Sequence, residues 1–430
     1  MVPQPKRWIA VNLLLGVALL LAACAQPATP APTPAPATPA APSPTPTTAP
    51  APPTPTAAPK GIIFGMLLVG PYNDRGWSQA HYEAGKYVEQ KLPGAKMLYI
   101  DKVNPADRPG TTASQLAEEL MAKGAKVIIF NSDDHKDEAI KFANAHPDIV
   151  VIHASGDDAW KEGKNYKGIP NLANVMGKME YGKMIAGCAA ALTTQTGKIG
   201  YLGPLINDET RRLAASAYMG AKYCWEKYRG KPAADLKFKV TWIGFWFHIP
   251  GVTADPTQVS QDFINAGYDV IISGIDTTEA LREAAKATQA GKKVWAIPYD
   301  YIGACEEAPD VCLGVPYFNW GPSYLKHIKA VLEGTWKPSW DWVGPDWKDI
   351  NNPDTSHVGF VKGKALSPEA AAQVDEFIKG LGDGSIQLWK GPIRLQDGRL
   401  YVEEGKVATD QQIWYLPQLL EGMEGQSVPQ

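Results

Sequence analysis

Cysteine is scarce in this chain, five residues in 430. None stands in a CxxC or Cys/His spacing that would hold zinc, so no metal is expected. Basic charge is not in excess either: 42 Lys and Arg face 45 Asp and Glu, a formal net charge of −3. That mild acidity excludes a nucleic-acid partner, which demands a basic face. The signatures of catalysis are missing as well. There is no nucleophile elbow, no Gly-rich phosphate loop and no Ser/His/Asp order. A cofactor-free binding protein is therefore expected rather than an enzyme. From residue 25 to residue 59 the chain lacks charge altogether and contains only Ala, Pro, Thr, Ser and Gln. Such a stretch cannot bury a core and favours extended polyproline backbone.

Long apolar runs are missing too, with one exception at the N-terminus. Lys6 and Arg7 precede a run from Trp8 to Ala23 that only Asn12 interrupts. A basic n-region followed by a short apolar h-region reads as an export signal. It ends in Leu21-Ala22-Ala23-Cys24, the form of a lipobox, which makes Cys24 the lipid acceptor. The expectation is a signal peptide over 1–23 and a lipidated Cys with a tether over 24–59. The body would then be extracytoplasmic, anchored to the cell membrane as a lipoprotein. At ~3.1 Å per residue the tether's contour approaches about 100 Å.

What remains, roughly 370 residues, exceeds what one hydrophobic core usually serves, so two lobes are expected. Short apolar runs alternate with helical patterns, the signature of βαβ units in parallel sheets. Strands are expected at Ile62–Val69, Lys96–Ile100, Lys126–Phe130, Ile149–Ala154 and Leu172–Met176, then at Lys198–Leu202, Phe238–Ile243, Val270–Ser273, Lys293–Pro298 and Cys312–Tyr317. Helix starts agree: Asp255-Pro256-Thr257-Gln258 combines an N-cap with Pro at N1, and Asp276-Thr277-Thr278-Glu279 has capping-box form. Ten strands suit two doubly wound sheets facing across a cleft, with ligand at the carboxyl ends of the strands.

Those strand ends carry polar and aromatic residues. "GPYNDRGWSQ" follows the first strand and holds Tyr72, Asp74, Trp77 and Ser78. Asp133 follows "AKVIIF", Trp246-Phe247 follow "VTWIGF", and Asp276 follows "VIISGI". Asp300 follows "KVWAIP", and Asn319-Trp320 follow "LGVPYF". Rings for the faces of a flat heteroaromatic molecule and acceptors for its N–H and O–H edge make these the candidate ligand-binding residues. Cys305 and Cys312, seven apart in "GACEEAPDVCLG", are candidates for a short disulfide in an oxidising compartment. Cys188 and Cys224, among Ala and aromatic residues, read as buried thiols.

The opening loop "GPYNDRGWSQAHYEAGKY", together with "GKIGYLGP", "ISGIDTTEALREAAKATQAGKKVWAIPYD" and "LGVPYFNWGPSYLKHIKAVLEGTW", resembles the basic membrane lipoprotein family. These are the purine-nucleoside-receptor-like substrate-binding lipoproteins of bacterial ABC importers, and the resemblance covers about 61 to 381. It implies a two-lobed type I periplasmic-binding-protein fold with three crossovers, near Asn174, Tyr317 and Val343. Lobe 1 would be 61–174 plus 319–343, lobe 2 would be 175–318 plus 344–383, and a hairpin and helix would form 384–430. It also implies a purine ligand, a monomer and ABC permease partners. Trp77 stands where the family stacks a ring on the base, and Ser78 where it often has Asn. Asp133 matches the acid at the base edge, and Trp246-Phe247 cover the second stacking position, with Phe247 preferred. Asp300 matches the acid that holds ribose hydroxyls. Nucleoside receptors commonly carry a Lys where this chain has Asn319-Trp320. Trp320 in its place would fill sugar space and favour a free purine such as adenine, with a nucleoside second. The alternatives are a surface sensor, a flavin, thiamine-like or furanose ligand and, remotely, a nucleoside-hydrolysing enzyme using Asp133 with Asp300.

Overall fold

The computed structural model describes residues 61–429; the export signal, Cys24 and the tether lie outside the described residues. Two parallel sheets organise the body. The first contains β1 (Ile62–Leu67), β2 (Ala95–Ile100), β3 (Val127–Phe130), β4 (Val150–His153), β5 (Leu172–Gly177) and β11 (Trp340–Val343), in the order β11-β5-β4-β3-β1-β2. The second contains β6 (Lys198–Gly203), β7 (Lys237–Trp242), β8 (Val270–Ser273), β9 (Trp295–Ile297) and β15 (Met423–Glu424), in the order β15-β7-β6-β8-β9. Strands such as β3 and β8 are buried along their whole length. That is why they read as unbroken apolar runs and not as alternation.

Helices cover both faces of each sheet. On the first, α1 (Trp77–Lys91) and α8 (Gly321–Glu333) pack on one side, α2 (Ala113–Ala122) and α3 (Lys136–Ala145) on the other. On the second, α4 (Met179–Thr193), α5 (Asp208–Lys227) and α9 (Pro368–Asp383) pack on one side, α6 (Pro256–Asn265) and α7 (Glu279–Gln289) on the other. The chain leaves the first sheet after β5. It returns through β10 (Gly314–Phe318) into α8, and crosses again after β11 through β12 (Val358–Lys362), which pairs antiparallel with β10. Among the described residues no helix is long and apolar enough to cross a membrane.

Several local expectations need correction. Cys188 and Cys224 are bonded to each other and are not free thiols, whereas Cys305 and Cys312 are bonded as expected. The first pair joins α4 to α5. A Cβ on Gly187 would lie 1.8 Å from the Ala217 carbonyl, and one on Gly220 would lie 2.0 Å from that of Met184. Only glycine permits so close a helix crossing, and it brings the two cysteine Cα atoms to 5.2 Å. The capping box at Asp276 does not form. The cap of α7 is Thr278, without a side-chain cap bond, because Asp276 turns toward the space between the lobes. The crossover expected near Val343 contains β11, which pairs parallel with β5 from Trp340 to Val343.

The segment beyond α9 forms a hairpin, β13 (Ile393–Arg394) with β14 (Leu400–Val402), and a short helix, α10 (Asp410–Trp414). It then touches both halves. Leu416, Leu419, Leu420 and Met423 enter the second lobe's core, and β15 extends its sheet beside β7. Trp414 and Tyr415 pack with the first lobe's Trp160, Trp340 and Trp342. Tyr415 hydroxyl is bonded to Asp157, and Gln411 donates to the carbonyl of Glu162.

Candidate functional site

The two sheets share one strand order, in which the first strand of each lobe lies between the second and the third: β2-β1-β3 and β7-β6-β8. That reversal leaves a crevice at the carboxyl ends of the strands. The loops that leave those ends meet there. Lobe 1 contributes Trp77 after β1, Ser132 and Asp133 after β3, and Ser155 after β4. Lobe 2 contributes Tyr201 and Pro204 from β6 and its end, Glu209, Thr210 and Leu213 from α5, Trp246 after β7, Gly274 and Asp276 after β8, and Tyr299 after β9. These residues line one cavity between the lobes, and none of them is Lys, Arg or His.

The lobes are in contact around it. Asn207, the N-cap of α5, donates to Asp133 at 3.4 Å across the gap. Phe247 reaches from lobe 2 toward Gly70 of lobe 1. A Cβ on Gly76 would lie 1.7 Å from the backbone carbonyl of Asp276, so the loop ahead of α1 meets the loop after β8 backbone against backbone.

Trp77 is fixed by an indole N–H bond of 2.5 Å to the Asn131 carbonyl, with Trp320 edge-on at 5.2 Å and Phe318 at 5.3 Å. Trp320 itself stacks on His81 at 4.3 Å and is buried behind Trp77; it does not line the cavity. The sugar-filling role expected of it therefore has no support in its position. Asn319 donates to the carbonyls of Pro353 and Ser356, tying down the third crossover. Tyr72 is 39 % exposed beside Tyr82 and Tyr99, away from the cavity. Ser78 accepts the Gly70 N–H, and Asp74 accepts three backbone N–H groups at the start of α1. Both shape the opening loop and stand behind its wall. Of the pair after β7, Trp246 and not Phe247 lines the cavity.

Asp133, Asp276 and Trp77 are thus brought together as the sequence suggested, and Asp300 lies close behind them. Its backbone is held at φ 71° by bonds to Pro316 and Phe318 of the crossover strand β10. Asp tolerates that left-handed conformation better than most residues, yet it carries strain. Its carboxylate is buried beside the Tyr299 hydroxyl, but among the described residues neither oxygen has a well-directed hydrogen bond. Burial holds both Asp300 and Asp276 well above the usual carboxylate range; Lys183 pulls Asp300 back, while repulsion from Asp300 adds to the rise at Asp276. Burial also lifts Asp74 to about 6 and pushes Asp133 upward, while Lys136 pulls Asp133 back.

Besides uncharged lining residues such as Ser155, Tyr201 and Tyr299, two charged groups were missed from sequence. Glu209 sits in the first turn of α5, where an acid ordinarily just favours the helix dipole. The signal was its place: "LGPLINDET" follows β6 as the other site loops follow their strands. Lys183 is the lone charge within an otherwise apolar stretch of α4. Its ammonium donates to the Ser273 carbonyl at 2.7 Å and lies 3.2 Å from the centre of the Tyr299 ring. Burial lowers its pKa to about 7, against the pull of Asp300.

Comparison with known proteins bears on the family and the fold. The family model described as PnrA-like ABC transporter substrate-binding protein matches residues 62–350. A purine-binding protein of Brucella abortus is 29% identical over 348 residues, spanning 81% of this chain and 88% of its own. A putative ABC transporter glucose-binding protein of Haloferax volcanii is 26% identical, over 75% of this chain and 73% of its own. Among solved structures, an ABC transporter solute-binding protein of Aeropyrum pernix aligns with a TM-score of 0.59 at 13% identity, over 78% of this chain and 93% of that one. One from Conexibacter woesei aligns at 0.54 and 16%, over 76% and 98%. At such identities the structures speak to fold alone: two lobes of the type I periplasmic-binding-protein class.

Proposed function

We propose a ligand and a mode of action from the premise that this chain belongs to the PnrA-like substrate-binding proteins of ABC transporters. Proteins of that family bind solutes outside the cytoplasm for a membrane permease; it is not a family of enzymes. The chain captures a purine base of the adenine type, with a purine nucleoside second, as its lobes close. The observation that carries this reading is one cavity walled by Trp77 from lobe 1 and Trp246 from lobe 2, with Asp133 and Asp276 beside them. Indoles cover the faces of a flat ring, and carboxylates take its edge donors. The purine-binding relative supports the same choice.

The mechanism is a population shift. Ligand touches both lobes only when they are closed, so it favours closure by the difference in its affinity for the two states. The closed body then docks on the permease as a monomer, held to the membrane through lipid on Cys24.

Calorimetry tests the site. Trp77→Ala and Asp133→Ala are each expected to weaken adenine binding more than roughly tenfold, the loss that follows when a buried partner is left unpaired. Near-wild-type affinity in both variants would remove the assignment. A sugar is the second reading, prompted by the glucose-named relative, since indole faces and carboxylates also suit a pyranose. Glucose titrated into the same cell decides between them.

A further inference from the structure

The cavity wall carries more acid than the ligand scheme has used. Asp133 and Asp276 already have ligand donors assigned to them; Glu209 has no ligand donor, and its hydrogen-bond partner is the Ser155 hydroxyl. It projects from the first turn of α5, the helix whose N-cap Asn207 bonds to Asp133 of the other lobe. The residue is only partly covered, but its carboxylate is buried in the cleft. The nearby cation on its own helix, Arg212, is already engaged by Glu180 at 2.6 Å. Lys183 on α4 is spent on the Ser273 carbonyl and the Tyr299 ring.

We propose, resting on the purine reading, that Glu209 is a specificity-determining residue. It accepts a further N–H or O–H donor of the ligand from lobe 2, beside those that Asp133 and Asp276 accept. The cleft then takes uncharged purines with donors on two edges and rejects anionic ones such as nucleotides. A wall with carboxylates and no lining Lys, Arg or His would leave a phosphate unpaired in a dry, closed site, a large penalty.

The groups facing Glu209 set its titration. Asp133 after β3, Glu180 on α4, and Asp276 and Asp300 after β8 and β9 disfavour its charge. Arg212 and Lys183 favour it, as does the Ser155 hydroxyl after β4. Tyr201 and Tyr299 flank it and stay protonated. Burial is the largest influence and lifts Glu209 to about 7. Below that pH it is protonated and its full acceptor capacity is lost. Affinity should therefore rise with pH through neutrality and level off above it.

The test is calorimetry of adenine, adenosine and adenosine monophosphate on the intact protein across roughly pH 6 to 8, where the acid would act as a switchable acceptor. Wild type should bind a base or nucleoside and reject the nucleotide. Glu209→Gln should weaken binding about 10- to 100-fold above pH 7, as for loss of a charge-assisted hydrogen bond. It should also lose the part of the pH dependence centred near 7 that Asp74 and Lys183 do not supply. Ser155→Ala removes only the hydroxyl that favours the charged form, so it should move the midpoint to higher pH. That readout stands even if Glu209→Gln fails to fold, which a thermal melt would reveal. Affinity within about threefold of wild type at every pH in Glu209→Gln, or an unmoved midpoint in Ser155→Ala, overturns the assignment to Glu209 and leaves the purine reading intact. Tight nucleotide binding also overturns it. A wild type that binds no purine at all sinks the purine reading itself.

Discussion

Gly76→Ala is expected to weaken ligand-driven closure by roughly 10- to 100-fold while leaving the lobes folded. The added methyl would sit 1.7 Å from the Asp276 carbonyl oxygen, inside its van der Waals envelope. Backbone cannot swing aside as a side-chain tip can, so the loops must part. Overpacking of this kind costs about 1–3 kcal/mol, occasionally more, and here it falls on the closed state alone. The cost therefore appears as affinity, roughly 10- to 100-fold weaker ligand binding, because the competent state becomes rarer. Gly76 lies at φ −145°, outside the left-handed region. Small-angle scattering should show compaction only at ligand concentrations roughly 10- to 100-fold above those that close the wild type, and the melting temperature without ligand should hold. Ligand-induced compaction with wild-type affinity would mean that these loops do not meet in the closed protein.

The second large effect is on folding. Removing residues 385–430 should leave a chain that does not fold stably. The deletion strips Leu416, Leu419, Leu420 and Met423 from the core of lobe 2 and takes β15 off its sheet. It also uncovers Trp160 and Trp342 in lobe 1. Each large side chain buried contributes about 1.5–3 kcal/mol, and several together exceed a typical net stability of about 5–15 kcal/mol. Soluble yield and a thermal melt check this. A soluble truncated protein with a cooperative transition near that of the full chain would show the segment to be an ornament on two self-sufficient lobes.

The two-sheet architecture was legible because parallel strands buried on both faces advertise themselves as short apolar runs. All ten strands expected from the sequence are strands in the structure, within a residue or two at most ends. β11 and β12 escaped notice. Trp340-Asp341-Trp342-Val343 carries an acid, and its burial depends on β5 and α10, which are remote in sequence. The same holds for the segment after α9, whose contacts are nearly all long-range. Trp77, Asp133, Trp246 and Asp276 could be picked out by one rule, that polar residues gather after strands. Trp320 obeyed the rule and yet faces the core, because a residue at a strand end can turn either way and neighbouring rings decide which. Glu209 was hidden for the opposite reason: an acid in the first turn of a helix needs no ligand to justify it.

The pairing of β15 with β7 has a consequence for biosynthesis. About 180 residues separate the two strands, a long loop to close. A ribosome delivers β7 long before it delivers Met423. Until then one edge of the nascent sheet offers unpaired N–H and C=O groups to any passing strand, the hazard that bare edges carry.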